Sequence, residues 1–482
     1  MNARASSAVA LAASATVVLG VASLALLPAA TADLASSLYP AAMALVVAVA
    51  LAVVVWLLDP AYTLSAAIFL TPLAGNWQQL GVPGALSPDR LLFAGAIVAV
   101  LMRAPPVADR PRLRISGAHW LLALAVIYTL GSAFFAGTLF ERAPLLKIVD
   151  AFGILPFLIF LVAPLAFRTP AQRRVLLGTL VALGAYLGLT VLFETLKLDA
   201  LVFPKYILDP NYGIHITLGR GPFADAIANG LALYMCSIAC AIAAASWRSR
   251  GMRAVAVAVG LLCLVGTFLC LERSVWIGAV LGTGVATLAP RGLRRYVLPV
   301  VVAVAVAIAA SLALIPGLSE RVSQRANQQE TIWDRQNLAR AGVNMVEAKP
   351  LLGFGWSRFA RDGSDYFEQS PDYPLTAAAN VGLHNTPLLY AVELGLVGMT
   401  LWTVGVLCGV GGALATRGPP DLDPWRVGLL ALATAYLVVL NAVPPSAWPN
   451  RSLWLLAGVV YSGRYLAWDT SRSPGQAARP SS

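Results

Sequence analysis

Apolar stretches of about 20 residues recur along the chain, each closed by a short polar turn. A stretch of that length spans the hydrocarbon core of a bilayer as one helix. The pattern predicts segments near 7–30, 38–58, 61–74, 88–103, 117–136, 147–167, 173–196, 225–246, 253–271, 273–290, 295–315, 384–415, 425–443 and 450–469. The predicted fold is all-α, a polytopic transmembrane bundle of about 12–14 spans. The third segment is short and bracketed by Pro60 and Pro72, which suits a tilted or re-entrant helix. The first stretch is long for a signal peptide and reads as a retained helix.

Basic residues orient the bundle. Arg103, Arg110, Arg112 and Arg114 follow the fourth segment; Arg168, Arg173 and Arg174 the sixth; Arg248, Arg250 and Arg253 the eighth; Arg291, Arg294 and Arg295 the tenth. Arg417 and Arg426 flank the loop after the twelfth, and Arg464 and Arg472 follow the start of the last. Every cluster follows an even-numbered segment. Cytoplasmic loops carry the excess of Arg and Lys, so the N-terminus is predicted inside, in an inner (cytoplasmic) membrane. The odd exits are then extracytoplasmic: the 197–224 loop, the tight turn at Glu272–Arg273, and the 316–383 loop. This divides the chain into 1–315 (helices with two outward arginine segments), 316–383 (one large periplasmic loop with short helices), 384–469 (C-terminal helices) and a disordered cytoplasmic tail, 470–482. Within the large loop, Trp333–Lys349 has the spacing of an amphipathic interfacial helix, stopped by Pro350.

Composition agrees. The chain of 482 residues is 59% hydrophobic and 12% charged, too little charge for a soluble surface of this size. The net charge of +11 sits in the loops, so it argues for a membrane and against nucleic acid. The five cysteines all fall in apolar segments and form no CxxC, as small packing residues would.

The informative residues are cations on the outer side. Arg220 lies in HITLGRGPFADAIANG and Arg273 in LCLERSVWIGAVLG. Loop and headgroup contacts for Arg220, or a pair with Glu272 for Arg273, would explain each alone. Together they are what a pyrophosphate needs, because guanidinium grips phosphate oxygens through two donors and stays charged when desolvated. His384, next to Asn385, opens an outer helix and suits a general base. His215 shares the outer loop with Arg220, and His119 reads as a packing residue. Arg335 and Arg340 are secondary phosphate candidates that Asp334 or Glu347 could instead pair.

EAKPLLGFGWSRF followed by HNTPLLYAVELGLVG resembles the signature of the O-antigen ligase and O-antigen polymerase superfamily, carried here by Pro350, Gly353, Gly355, His384, Asn385, Glu393, Gly395 and Gly398. LGRGPFADAIANG and LERSVWIG are similar to its two arginine segments; Pro387 is a departure. The resemblance implies a metal-independent, inverting glycosyltransferase without a cofactor, in lipopolysaccharide or other polysaccharide biosynthesis. It implies an undecaprenyl-pyrophosphate-linked glycan as donor and lipid A-core, or another glycan, as acceptor. It gives Arg220 and Arg273 the pyrophosphate and His384 the base role. Trp333, Trp356, Tyr366, Phe367 and Tyr373 are candidates to stack on sugars. A polymerase of the same superfamily is the nearest alternative. A precursor transporter or flippase is the rival of another class, disfavoured by midplanes that are almost purely Ala, Val and Leu.

Overall fold

The computed structural model describes residues 58–82, 87–102, 115–214, 218–327, 330–367, 382–442 and 447–464. The first two predicted segments, the 470–482 tail, His215 and Tyr373 lie outside these. Among the described residues the chain is all-α. The helices are α1 (Pro60–Leu70), α2 (Pro88–Met102), α3 (Gly117–Phe135), α4 (Ile154–Ala166), α5 (Pro170–Thr195), α6 (Ala226–Ser246), α7 (Arg250–Leu269), α8 (Arg273–Leu288), α9 (Val297–Leu314), α10 (Leu318–Asn327), α11 (Glu330–Ala348), α12 (Thr386–Val406), α13 (Asp423–Leu440) and α14 (Ala447–Tyr461). Every predicted segment from 61–74 onward therefore appears as a helix. Eight helices among the described residues are long and apolar enough to cross a membrane, which makes this a multi-pass membrane protein.

Small residues bring the helices together, as they must where lipid is as apolar as leucine. Gly278 and Gly282 of α8 lie against Ala435 and Ala431 of antiparallel α13. Gly184 of α5 lies against Cys236 of α6 and Cys263 of α7. Those two cysteines are buried and free, as packing residues should be. His119 is also a packing residue, its ring stacked on Phe160 at 4.9 Å. At the opposite extreme, α9 buries little besides Ser311, so its apolar surface faces outward.

Contacts sort the loops to two ends. At one end Arg173 bonds Asp421, Gln172 bonds Asp59 at 3.0 Å, and Gly418 meets Gly463. At the other, Asn76 donates to the Pro222 carbonyl at 2.8 Å, Trp356 donates to the Pro144 carbonyl at 3.0 Å, and Tyr436 reaches Asn450 at 3.3 Å. A buried ionic network also occupies this second end. Arg451 Nη1 meets Asp89 at 2.9 Å and Arg451 Nη2 meets Asp150 at 2.5 Å. Arg90 Nε binds Asp150 at 3.1 Å, and Trp77 Nε1 donates to Asp89 at 2.8 Å. Asp150 is carried inward by a π-turn, Ile148–Phe152, just before α4.

The predicted amphipathic helix is α11. Its apolar stripe, Leu338, Ala341 and Met345, is buried. Leu338 and Met345 pack on Leu383 and Val392 at the start of α12. The stripe thus docks on the protein rather than lying free at the interface.

Candidate functional site

The Gly-x-Gly and Glu-x-Gly-x-x-Gly positions build one device. Helix α12 is broken at Gly395 (φ +68°, ψ 178°), which frees backbone groups inside the span. The segment after Pro350 satisfies them. Phe354 N donates to Val392 O and Gly355 N to Glu393 O, both at 2.9 Å, and Leu396 N donates to Pro350 O at 2.8 Å. The backbones touch, so a Cβ on Gly353 would strike Gly395 N, and one on Gly395 the Leu351 carbonyl. Gly353 and Gly355 also take positive φ, +70° and +107°. The buried Glu393 carboxylate accepts the Ser357 and Phe359 N–H groups. On the far side Gly398 admits Tyr128, whose hydroxyl donates to Leu394 O at 2.9 Å.

This strap fixes the start of α12. Asn385 is its N-cap and accepts from Leu388 N at 2.9 Å, while Pro387 occupies the first turn, where no helical N–H is lost. Pro387 is therefore a good helix starter. His384 precedes the cap and is half-buried.

The second element is the α7–α8 hairpin. Leu271 turns the chain in the left-handed region (φ +54°), and Glu272 and Arg273 begin α8. Glu272 is 2% exposed. It pairs with Arg325 of α10, Nη2 to Oε1 at 2.7 Å, and Arg325 Nε also reaches the Leu271 carbonyl at 3.3 Å. Arg335 of α11 joins the group. Desolvation is the main influence lowering its pKa, Glu272 opposes this, and the positive charges of Arg273 and Arg325 reinforce it. One guanidinium thus pairs with a buried carboxylate, and the charges of Arg273 and Arg335 stand near enough to act on one another and on that pair. Arg340 is exposed and lies about 140° around α11 from Arg335, at 100° per residue.

The two elements meet at the same end of the bundle. Leu383 and Leu388 pack on Gly342 of α11, the helix that carries Arg335. Asn385 Nδ2 lies 3.5 Å from Asn441 Oδ1, just past α13. Val439 of α13 packs on Val275, two residues beyond Arg273. Arg273, Arg335 and His384 accordingly lie at the same end of the bundle, on α8, on α11 and before α12.

Arg220 is built differently. It is 2% exposed. Its Nε donates to Ile207 O at 3.0 Å, Nη2 to Ile207 O and Asp209 O at 2.6 Å each, and Nη1 to Tyr212 O. Four of its five N–H groups are thus turned into loop carbonyls. Desolvation lowers its pKa, against the pull of Glu194 and Asp209. Its backbone N–H and that of Gly221 donate to Glu194 at 3.1 and 3.0 Å. The Arg220 side chain, expected to hold pyrophosphate, holds the carbonyls of the 207–212 loop in this structure. Arg220 does adjoin the hairpin, since it and Leu271 line one cavity of about 190 Å³.

Trp356, expected as a sugar platform, is 2% exposed and packed edge-on against Phe152 at 5.3 Å. Tyr366 stands edge-on to Phe354 at 5.4 Å.

Residues 258–403 match the protein family described as O-Antigen ligase. The match covers 146 of the 482 residues. It runs from α7 into α12 and so contains the hairpin, both loop helices, the strap and His384, whereas Arg220 precedes it. The superfamily resemblance of the sequence is borne out over that stretch. It supports, at a coarse level, a transferase of the O-antigen ligase or polymerase type. No curated protein matches the chain.

Two features escaped the sequence reading. Arg325 was one of seven basic residues in a loop with eight acidic ones, with no spacing to single it out. Arg451 did carry a signal, because it is an outer-side arginine at the head of a predicted span, the criterion that selected Arg273.

Proposed function

We propose that this protein transfers a glycan from undecaprenyl pyrophosphate to an acceptor hydroxyl at the extracytoplasmic end of the bundle, as a ligase whose acceptor is lipid A-core. The observation that carries the reading is the cluster of Arg273, Arg325 and Arg335 around Glu272, inside the matched stretch and at the end where α12 begins. The sorting of Arg173, Arg417 and Arg464 to the opposite end supports a cytoplasmic N-terminus and an inner membrane.

The acceptor oxygen attacks the anomeric carbon from the face opposite the pyrophosphate, and His384 takes its proton. The bond from that carbon to the pyrophosphate oxygen breaks, and the electron pair leaves with undecaprenyl pyrophosphate. The configuration inverts. Negative charge grows on the leaving group, so the arginines near Glu272 stabilise the transition state more than the ground state. Glu272 holds the Arg325 guanidinium in place before substrate arrives. Arg220 keeps the neighbouring wall in shape.

The test is a deletion strain complemented with His384→Ala, with surface glycan and carrier lipid both analysed. Loss of ligation leaves polymerised glycan on the carrier. Single repeat units on the carrier would instead identify a polymerase, and full activity of the variant would remove His384 from the reaction.

A further inference from the structure

The cavity beside the hairpin has no role in the chemistry above, and its walls select a ligand. Glu194 closes it from the end of α5, Lys197 and Asp199 from the following loop, and Arg321 from α10. Leu218, Leu269, Leu271 and Leu318 give it apolar walls, and Arg220 lines it as well. Of the three cations that line it, Lys197, Arg220 and Arg321, the Arg220 guanidinium is spent on loop carbonyls; the other two face two carboxylates beside leucine surface, which suits a neutral ring with hydroxyl edges and an apolar CH face. The volume of about 190 Å³ is that of roughly six waters at about 30 Å³ each, the room of one sugar ring rather than a chain. The walls are fixed in advance. Both Glu194 oxygens already accept backbone N–H groups, and Lys205 Nζ holds the Asp199 and Ala200 carbonyls at 2.7 and 3.1 Å.

Its position relates it to the arginine cluster. Arg321 lines the cavity and Arg325 binds Glu272, so one turn of α10, about 6 Å of rise, separates the two. Leu271 links them as well, as a cavity wall whose carbonyl accepts from Arg325. We infer that this cavity is a binding subsite for the single sugar joined to the pyrophosphate. The inference rests on the donor assigned under Proposed function. The subsite would make the enzyme selective for the first sugar of its donor, independently of the arginines that hold the phosphates.

The full-length protein in nanodiscs is titrated with undecaprenyl pyrophosphate and with undecaprenyl pyrophosphate bearing one hexosamine. Wild type should bind the second about ten-fold more tightly, the value of one or two charge-assisted hydrogen bonds. Arg321→Ala and the cavity-filling Leu218→Trp should bind the two lipids alike, with affinity for the sugar-free lipid unchanged. Leu218→Trp alters no charge and carries the test if Arg321→Ala does not fold. A sugar increment that is absent in wild type, or that survives in both variants, overturns the subsite while leaving the transferase reading intact. Failure of wild type to bind either lipid overturns that reading, and the subsite with it.

Discussion

Arg451 and Asp89, 362 residues apart in the chain, form an ion pair of 2.9 Å in which neither side chain is exposed to solvent. Asp150 takes the other amino group of Arg451 and is bridged in turn to Arg90. The pairing ties together the N-terminal ends of α2 and α14 and the π-turn before α4. Removing one partner from a buried pair leaves an uncompensated charge, at a cost of about 3–5 kcal/mol. Arg451→Leu, which leaves the buried Asp89 carboxylate with Trp77 alone and Asp150 with Arg90 alone, should therefore lower the unfolding temperature in detergent by many degrees. Asp89→Asn keeps an acceptor for Trp77 and should cost less. An Arg451→Leu protein that melts with wild type would show that the network contributes nothing to stability.

The break in α12 gives a second prediction. Gly395→Ala meets both a left-handed backbone and the Leu351 carbonyl, so the 350–355 strap cannot seat. Gly284→Ala and Gly411→Ala add a methyl group to open space within helical backbone. The first variant should be lost from the membrane fraction or inactive. The other two should accumulate and work as wild type does, and equal accumulation and activity of all three would refute the strap.

These examples mark how far the sequence was legible. Hydropathy, a one-dimensional property, predicted every described span, and the alternation of basic loops matches the two ends to which contacts sort them. The glycines near 353 and 395 were legible as a motif, while their reason was not. It lies in a backbone-to-backbone approach between segments 40 residues apart. The placement of Arg220, Arg273 and His384 was legible only in part. Hydropathy brings all three to one end of the bundle, but it does not say where a guanidinium points. Arg220 turns into the carbonyls of its own loop, and Arg325, in a loop of nearly balanced charge, completes the cluster instead.

Two arginines on α11 separate a site role from a surface role. Arg335 stands in the field of Glu272, Arg273 and Arg325, whereas Arg340 is exposed on another face. Removing a donor that stabilises developing charge typically costs about 100- to 1000-fold in rate. Arg335→Ala should fall in that range in a reconstituted transfer assay, while Arg340→Ala should stay within about three-fold of wild type. Equal effects would assign α11 a structural role only.

Replacing Arg335 by lysine converts the same environment into a titratable one. Burial lowers the pKa of Arg335, and Arg273 and Arg325 push in the same direction, but a guanidinium stays protonated at working pH. A lysine ammonium starts near 10.4 and would feel the same desolvation and the same two positive neighbours. Its folded-state pKa would lie below the unfolded one, and the charge is lost as pH rises through that lowered value. Arg335→Lys should therefore keep a measurable fraction of its transfer rate near pH 7 and lose it toward pH 9–10. Across that interval the wild-type rate should keep its own profile, since a guanidinium at position 335 keeps its charge. The comparison is the ratio of mutant to wild-type rate as a function of pH, which removes the titration of His384 and of the acceptor common to both. A falling ratio places the charge of residue 335 in the reaction. A flat ratio would mean that the lysine is well solvated, and that α11 does not bring position 335 into the desolvated cluster around Glu272.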